Sequence, residues 1–279
     1  YGAPNRHASF EDLVADPDID AIYVATPHPF HKDASILCLE AGKAVLCEKP
    51  FTINAAEAEA VVVVARTKGV FLMEAMWSRY LPVMAQVRQW LAEDAIGEPL
   101  VVSADFGFRA NVNPEGRLFS PALGGGALLD IGIYVVSFAA MVLGAQPDRI
   151  TAAAHLGETG VDEQTGVVLG YPGGGIATLS CAVRASTPHE ARITGSKGTI
   201  ALDPSWWKGE GATLKADGHE ERVELVLDGN VYNYEAREVA RCLAAGELES
   251  PVMPLDETVA LMRILDEIRA QIGLKYPME

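Results

Sequence analysis

A lysine closes a short apolar run in Val45-Leu46-Cys47-Glu48-Lys49-Pro50, and well downstream Asp130 and Tyr134 stand four apart in Asp130-Ile131-Gly132-Ile133-Tyr134. That spacing places a carboxylate and a phenol on one side of a helix. An amine, a carboxylate and a phenol in a common cleft can move a proton to or from a substrate hydroxyl. Such proton movement is the acid–base half of hydride transfer at an alcohol carbon. Each residue also has a plainer role: Asp130 against a helix dipole, Tyr134 as packing, Glu48 in a structural ion pair. Lys49 is the most pointed of them, because a position between a buried strand and a proline is not one for solvation. Pro50 removes a backbone donor and can hold the bend through an unusual peptide isomer.

The elements around these residues alternate. A short helix over 10–14, capped by Ser9, precedes a continuously apolar strand over 21–25, the pattern of a strand covered on both faces. Thr26-Pro27-His28-Pro29 breaks it. A helix over 31–41 follows, with Ile36, Leu37 and Leu39 on its buried side and Gly42 closing it. A strand over 45–47, a helix over 54–68 ended by Gly69 and a strand over 70–73 complete a Rossmann-type parallel sheet. Ligands bind beyond the carboxyl ends of such strands, where Thr26-Pro27, Glu48-Lys49-Pro50 and 74–79 fall. No glycine-rich dinucleotide loop precedes them. Tyr1-Gly2-Ala3-Pro4 leads straight into a later crossover, so the expectation is that a first strand–helix–strand unit of roughly fifty residues is missing.

A helix over 81–91 leads to a second region, 99–279, beside a partial dinucleotide-binding region, 1–98. Strands are expected at 99–108, 150–156, 163–171, 175–183, 190–194, 198–202 and 221–227, with turns such as Pro172-Gly173-Gly174 between them. Helices are expected from Asp130 to about residue 143 and over 234–243 and 255–272, the last following Pro254 and able to pack back on the first region. This makes an α+β domain with a largely antiparallel open sheet, one face of which the helices are too few to cover. Gly124-Gly125-Gly126 lacks dinucleotide spacing and is a tightly packed or flexible entry to the Asp130 helix. His28 and His31 lack partners for a metal, and none is expected. Arg109, Trp206 and Trp207 are candidates for an aromatic, partly cationic substrate pocket.

With 38 acidic against 22 basic side chains, the formal charge of −16 argues against nucleic acid as a partner. An acidic protein can still hold a dinucleotide through backbone amides. The 279 residues are 49% apolar, enough for two domains with cores of their own. Cys38, Cys47, Cys181 and Cys242 are widely separated and read as free thiols of a reducing, cytoplasmic setting. No apolar run is expected to be long enough for a membrane span.

With these segments in view, the chain resembles the glucose–fructose oxidoreductase/inositol dehydrogenase (Gfo/Idh/MocA) family, nearest its dihydrodiol and D-xylose dehydrogenase branch. The resemblance rests on Ala25-Thr26-Pro27 with His31, Glu48-Lys49-Pro50, the segment Met73-Glu74-Ala75-Met76-Trp77-Ser78-Arg79 and Gly125-Gly126-Ala127-Leu128-Leu129-Asp130-Ile131-Gly132-Ile133-Tyr134. The tail Glu249-Ser250-Pro251-Val252-Met253-Pro254-Leu255 extends it. It implies NADP, or alternatively NAD, as cofactor and a sugar or cyclic vicinal diol as substrate. Thr26, Pro27, His28, His31, Glu48, Lys49, Trp77 and Arg79 are then cofactor neighbours. Tyr134 becomes the immediate acid/base, Lys49 its electrostatic partner, with the reverse assignment open, and Asp130 orients substrate or tunes the field. A homodimer through the exposed sheet face is also implied. A non-catalytic ligand sensor on the same fold is the rival reading, as is an inactive fragment; retention of lysine, aspartate and tyrosine together weighs against the sensor.

Overall fold

In a computed structural model we describe Gly2 and residues 5–279; Tyr1, Ala3 and Pro4, and with them the expected lead-in segment, lie outside the described residues. Helix α1 (Phe10–Ala15) starts at Ser9, whose hydroxyl accepts from the Asp12 N–H. Strand β1 (Ala21–Val24), α2 (His31–Glu40), β2 (Ala44–Glu48), α3 (Ala55–Lys68) and β3 (Leu72–Ala75) then build a parallel sheet of order β1-β2-β3. Asn54 caps α3 by accepting from the Glu57 N–H, and Gly69 ends it at φ 65°. The alternation of strand and helix thus yields the parallel layer expected of it.

Two details differ. Strand β1 is buried on one side only: Ile22 and Val24 face the core while Tyr23 is 48% exposed. Its phenol instead turns to the Glu48 carboxylate. On α2 the buried stripe is His31, Ser35, Cys38 and Leu39, with Ile36 and Leu37 only half-buried.

After α4 (Pro82–Ala92) come β4 (Pro99–Gly107), a π-helical turn (Leu128–Gly132) and α5 (Ile133–Leu143). Strands β5 (Arg149–Leu156), β6 (Asp162–Gly170), β7 (Ile176–Ala182), β8 (Ala191–Gly195), β9 (Gly198–Leu202), β10 (Gly211–Ala216) and β11 (His219–Glu224) follow, then α6 (Asn233–Ala245) and α7 (Leu255–Ile272). The eight strands lie in the order β11-β10-β9-β8-β4-β7-β6-β5, antiparallel except for β4 against β7. Strand β10 was not legible in the sequence. Its weakly apolar Gly-Ala-Thr-Leu-Lys-Ala becomes a strand by pairing on both edges, with β9 and β11.

Helices α5 and α7 cover one face of this sheet, and α7 also packs on α3. The other face is open and carries a cross-strand row in register: Thr151, Val168, Thr178, Ser103, Arg192, Ala201, Thr213 and Arg222. The stretch Pro121–Leu143 corrects one expectation, because it is long and apolar enough to cross a membrane. It is apolar all round because it is buried between the sheet and the parallel layer, with every residue from Leu128 to Ala140 inside the protein. All four cysteines are free and buried.

Candidate active site

The peptide bond between Lys49 and Pro50 is cis, and the turn it makes carries Lys49 from the end of β2 toward the start of α5. The Lys49 ammonium donates to the Asp130 carbonyl at 2.6 Å and to its Oδ1 at 3.3 Å, and stands 4.9 Å from the centre of the Tyr134 ring. Lysine, aspartate and tyrosine therefore share one cavity of about 480 Å³ between the parallel layer and the large sheet. The four-residue spacing brings Asp130 and Tyr134 together, though through a π turn rather than a regular helix. Gly132 lets the turn pack closely on the sheet, since a Cβ there would lie 3.0 Å from both Cys181 Sγ and Leu128 Cδ1. Such turns recur at functional sites.

The triple glycine is a tightly packed entry to the π turn. A side chain at Gly126, where φ is 118°, would meet Asp162 Oδ1 at 2.2 Å. Asp162, fully buried, accepts from the Leu128 N–H at 2.8 Å and so holds the first residue of the π turn. The Tyr276 hydroxyl donates to the Gly125 carbonyl at 2.7 Å. His28 Nδ1 reaches the Gly124 carbonyl at 3.0 Å. Burial first, then Lys49, pushes the His28 ring down to about 3, so it is neutral. A neutral ring donating from Nδ1 leaves Nε2 as an acceptor.

Electrostatically the cavity is divided. Burial would push the Asp130 carboxyl up, but Lys49 and then Arg117 overcome it and hold it down at about 2. Burial, then the Glu48 charge, raises the Tyr134 phenol well above its ordinary range. The Tyr134 oxygen accepts from the Trp77 indole N–H at 2.7 Å. Its own hydrogen has no protein acceptor among the described residues and is free to donate. His31 lies with Nε2 at 2.7 Å from the Thr26 carbonyl and Nδ1 at 2.9 Å from the Pro50 carbonyl, tying the ends of β1 and β2 together. Among the described residues Glu48 has no ion-pair partner; it accepts from the Tyr23 hydroxyl and, at 3.0 Å, from the Lys49 N–H.

Thr26, Pro27, His28, His31, Glu48, Lys49, Trp77 and Trp207 line the cavity as the sequence suggested. Three candidates do not. Arg79 is 4% exposed and spent inside the protein, donating to Ser137 Oγ, the Ser137 carbonyl and Glu257. Arg109 is exposed, bridging in the backbone to Arg184. Trp206 is buried against Phe138 with its indole N–H on the Asp105 carbonyl, because adjacent residues of one 3-10 turn point their rings apart, 87° from parallel. Phe106, Phe108, Arg117 and Tyr232 were missed and do line the cavity. Phe106 stacks on Trp207 at 3.5 Å between ring centres, and Tyr232 leans on Trp77 at 5.3 Å. The two phenylalanines lie at the end of β4, which was a usable signal; Arg117 and Tyr232 sit in motif-free loops.

Residues 1–76 match the model for the oxidoreductase family with an NAD-binding Rossmann fold, and 84–201 match the GFO/IDH/MocA C-terminal domain. The chain is 42% identical over its whole length to the trans-1,2-dihydrobenzene-1,2-diol dehydrogenase of Mus musculus, 85% of which is covered. The chain belongs to the Gfo/Idh/MocA oxidoreductase family. Among solved members, the aldose-aldose oxidoreductase of Caulobacter crescentus superposes with a TM-score of 0.86 at 25% identity, covering 95% of this chain and 80% of that one. A 3-ketoreductase from Actinomadura kijaniata bound to NADP and TDP-benzene gives 0.82 at 26% identity, covering 94% and 81%. This Gfo/Idh/MocA chain is thus an enzyme with a nicotinamide-binding Rossmann layer, and its cavity lies where the two matched regions meet.

Proposed function

We propose that this oxidoreductase interconverts a CH–OH group and its ketone on a cyclic vicinal diol or a sugar, with NADP as its preferred carrier and NAD as the alternative. The observation that carries this reading is the free phenolic hydrogen of Tyr134, held beside Lys49 and Asp130 at the strand ends. The aromatic wall of Trp77, Phe106, Phe108 and Trp207 suits the flat face of a carbocycle. The residues fit a nicotinamide as well: Thr26 Oγ1 is buried with no partner among the described residues, just past the end of β1. Thr26, Pro27, His31, Glu48 and Lys49 would hold that side of the carrier. The bound dinucleotide supplies the hydride acceptor for oxidation and the donor for reduction.

The protein's own residues handle the proton. Tyr134 is kept as a neutral phenol by burial, so in reduction it donates to the forming alkoxide oxygen. In oxidation the phenol first gives up its own proton to solvent, a loss that the Lys49 cation beside its ring makes less costly, and the phenolate oxygen then takes the substrate hydroxyl proton as hydride leaves for the carrier. Asp130, anionic throughout the working range, holds Lys49 in place. Assay of the chain with D-xylose, glucose and aromatic trans-dihydrodiols, following nicotinamide absorbance, should show turnover with NADP exceeding that with NAD. Carrier binding without turnover of any polyol would instead make the chain a sensor.

The open face of the eight-stranded sheet supports a homodimer. Val101, Val168 and Ile176 are each more than 40% exposed on it. Sedimentation at micromolar concentration should give a dimer that Val168→Glu dissociates; a wild-type monomer rules this assembly out.

A further inference from the structure

Arg117 reaches the catalytic carboxylate from a loop that no motif marks. Its Nη1 donates to Asp130 Oδ1 at 2.7 Å, the same oxygen that Lys49 approaches at 3.3 Å. Both cations thus converge on Oδ1. Among the described residues no donor reaches Oδ2, and Asp130 and Arg117 both line the cavity. The arginine is placed by its backbone rather than by chance. Phe119, 1% exposed, anchors the loop, and the Leu118 carbonyl accepts from the Gly126 N–H at 2.9 Å. The Arg117 carbonyl itself packs on Gly125, where a Cβ would lie 2.9 Å from it. The loop and the π turn are therefore clamped to each other.

We infer that Arg117 is a positioning residue that fixes the Asp130 carboxylate so that Oδ2 accepts a hydrogen bond from the second hydroxyl of a vicinal diol. This rests on the cavity being the substrate site proposed above and adds what selects the substrate. One hydroxyl meets Tyr134 at the reacting carbon; the neighbouring hydroxyl meets Oδ2. An anionic acceptor with its other oxygen already paired offers a strong, directional bond to that hydroxyl and nothing to a mono-alcohol.

The test compares trans-cyclohexane-1,2-diol with cyclohexanol, by turnover and, independently, by quenching of tryptophan fluorescence with and without NADP. The wild type should favour the diol, Arg117→Met should lower that preference about tenfold or more, and Arg117→Lys should restore much of it. Equal losses for both alcohols in Arg117→Met, an unchanged ratio, or a wild type without diol preference would each overturn the inference. Diol binding with an Arg117-dependent preference but no hydride transfer would sink the dehydrogenase reading and leave this one standing. Turnover of both alcohols without that dependence would do the reverse.

Discussion

Lys49→Met lowers kcat/KM for alcohol oxidation by about a thousandfold. The ammonium is the only cation placed over the Tyr134 ring, at 4.9 Å, among the described residues, and it also caps the Asp130 carbonyl. Methionine keeps the length of the side chain and loses the charge. The fold should survive, since Asp130 retains Arg117 at 2.7 Å and the Leu128 N–H retains Asp162. Removing a cation beside a phenol raises the phenol's pKa, and burial has already pushed Tyr134 up. Residual oxidation by the variant should therefore climb further into the alkaline range than that of the parent. A loss of less than about tenfold, with no displacement of the pH profile, would remove Lys49 from the chemistry and favour a purely structural role for it.

Arg79→Met costs about 3 kcal/mol of stability, measured as a shift in the urea midpoint at unchanged slope. The guanidinium joins the segment after β3 to α5 and α7 through Ser137 and Glu257. Its loss leaves the buried Ser137 hydroxyl and a mostly buried Glu257 carboxylate without that donor, which is why truncation costs more than an exposed pair would. The Arg79 carbonyl additionally accepts from Arg88 at 2.7 Å, and that bond survives the substitution. Affinity for NADP should be little changed in folded protein, since the side chain does not line the cavity. Native stability with weakened NADP binding would return Arg79 to the cofactor.

Arg79 also shows why its role was misjudged from sequence. It stands at the carboxyl end of a parallel strand, the position that suggests ligand contact, only two residues after Trp77, which does line the cleft. The 3-10 turn Trp77–Tyr80 directs the two side chains to different places. The same holds for Trp206 and Trp207, adjacent in sequence and divided between core and cavity. Glu235 was passed over altogether. It is buried near Glu48, and burial, then that neighbour, pushes its carboxyl up to about 8.

What the sequence determined by itself was local. Hydrophobic alternation and capping residues such as Ser9, Asn54, Gly69 and Pro254 placed most elements, because these effects act within one turn or one strand. The pairing of Lys49 with Asp130 and Tyr134 was legible from residue type and strand-end position. Tertiary structure alone decided which neighbours share a cavity. The hydrogen bond from Trp77 to Tyr134 and the Lys49 contact on Asp130 join segments distant in the chain, and the Arg117 contact on Asp130 Oδ1 joins a loop to the π turn. Their geometry follows from how the parallel layer packs against the large sheet, and no sequence period encodes that packing.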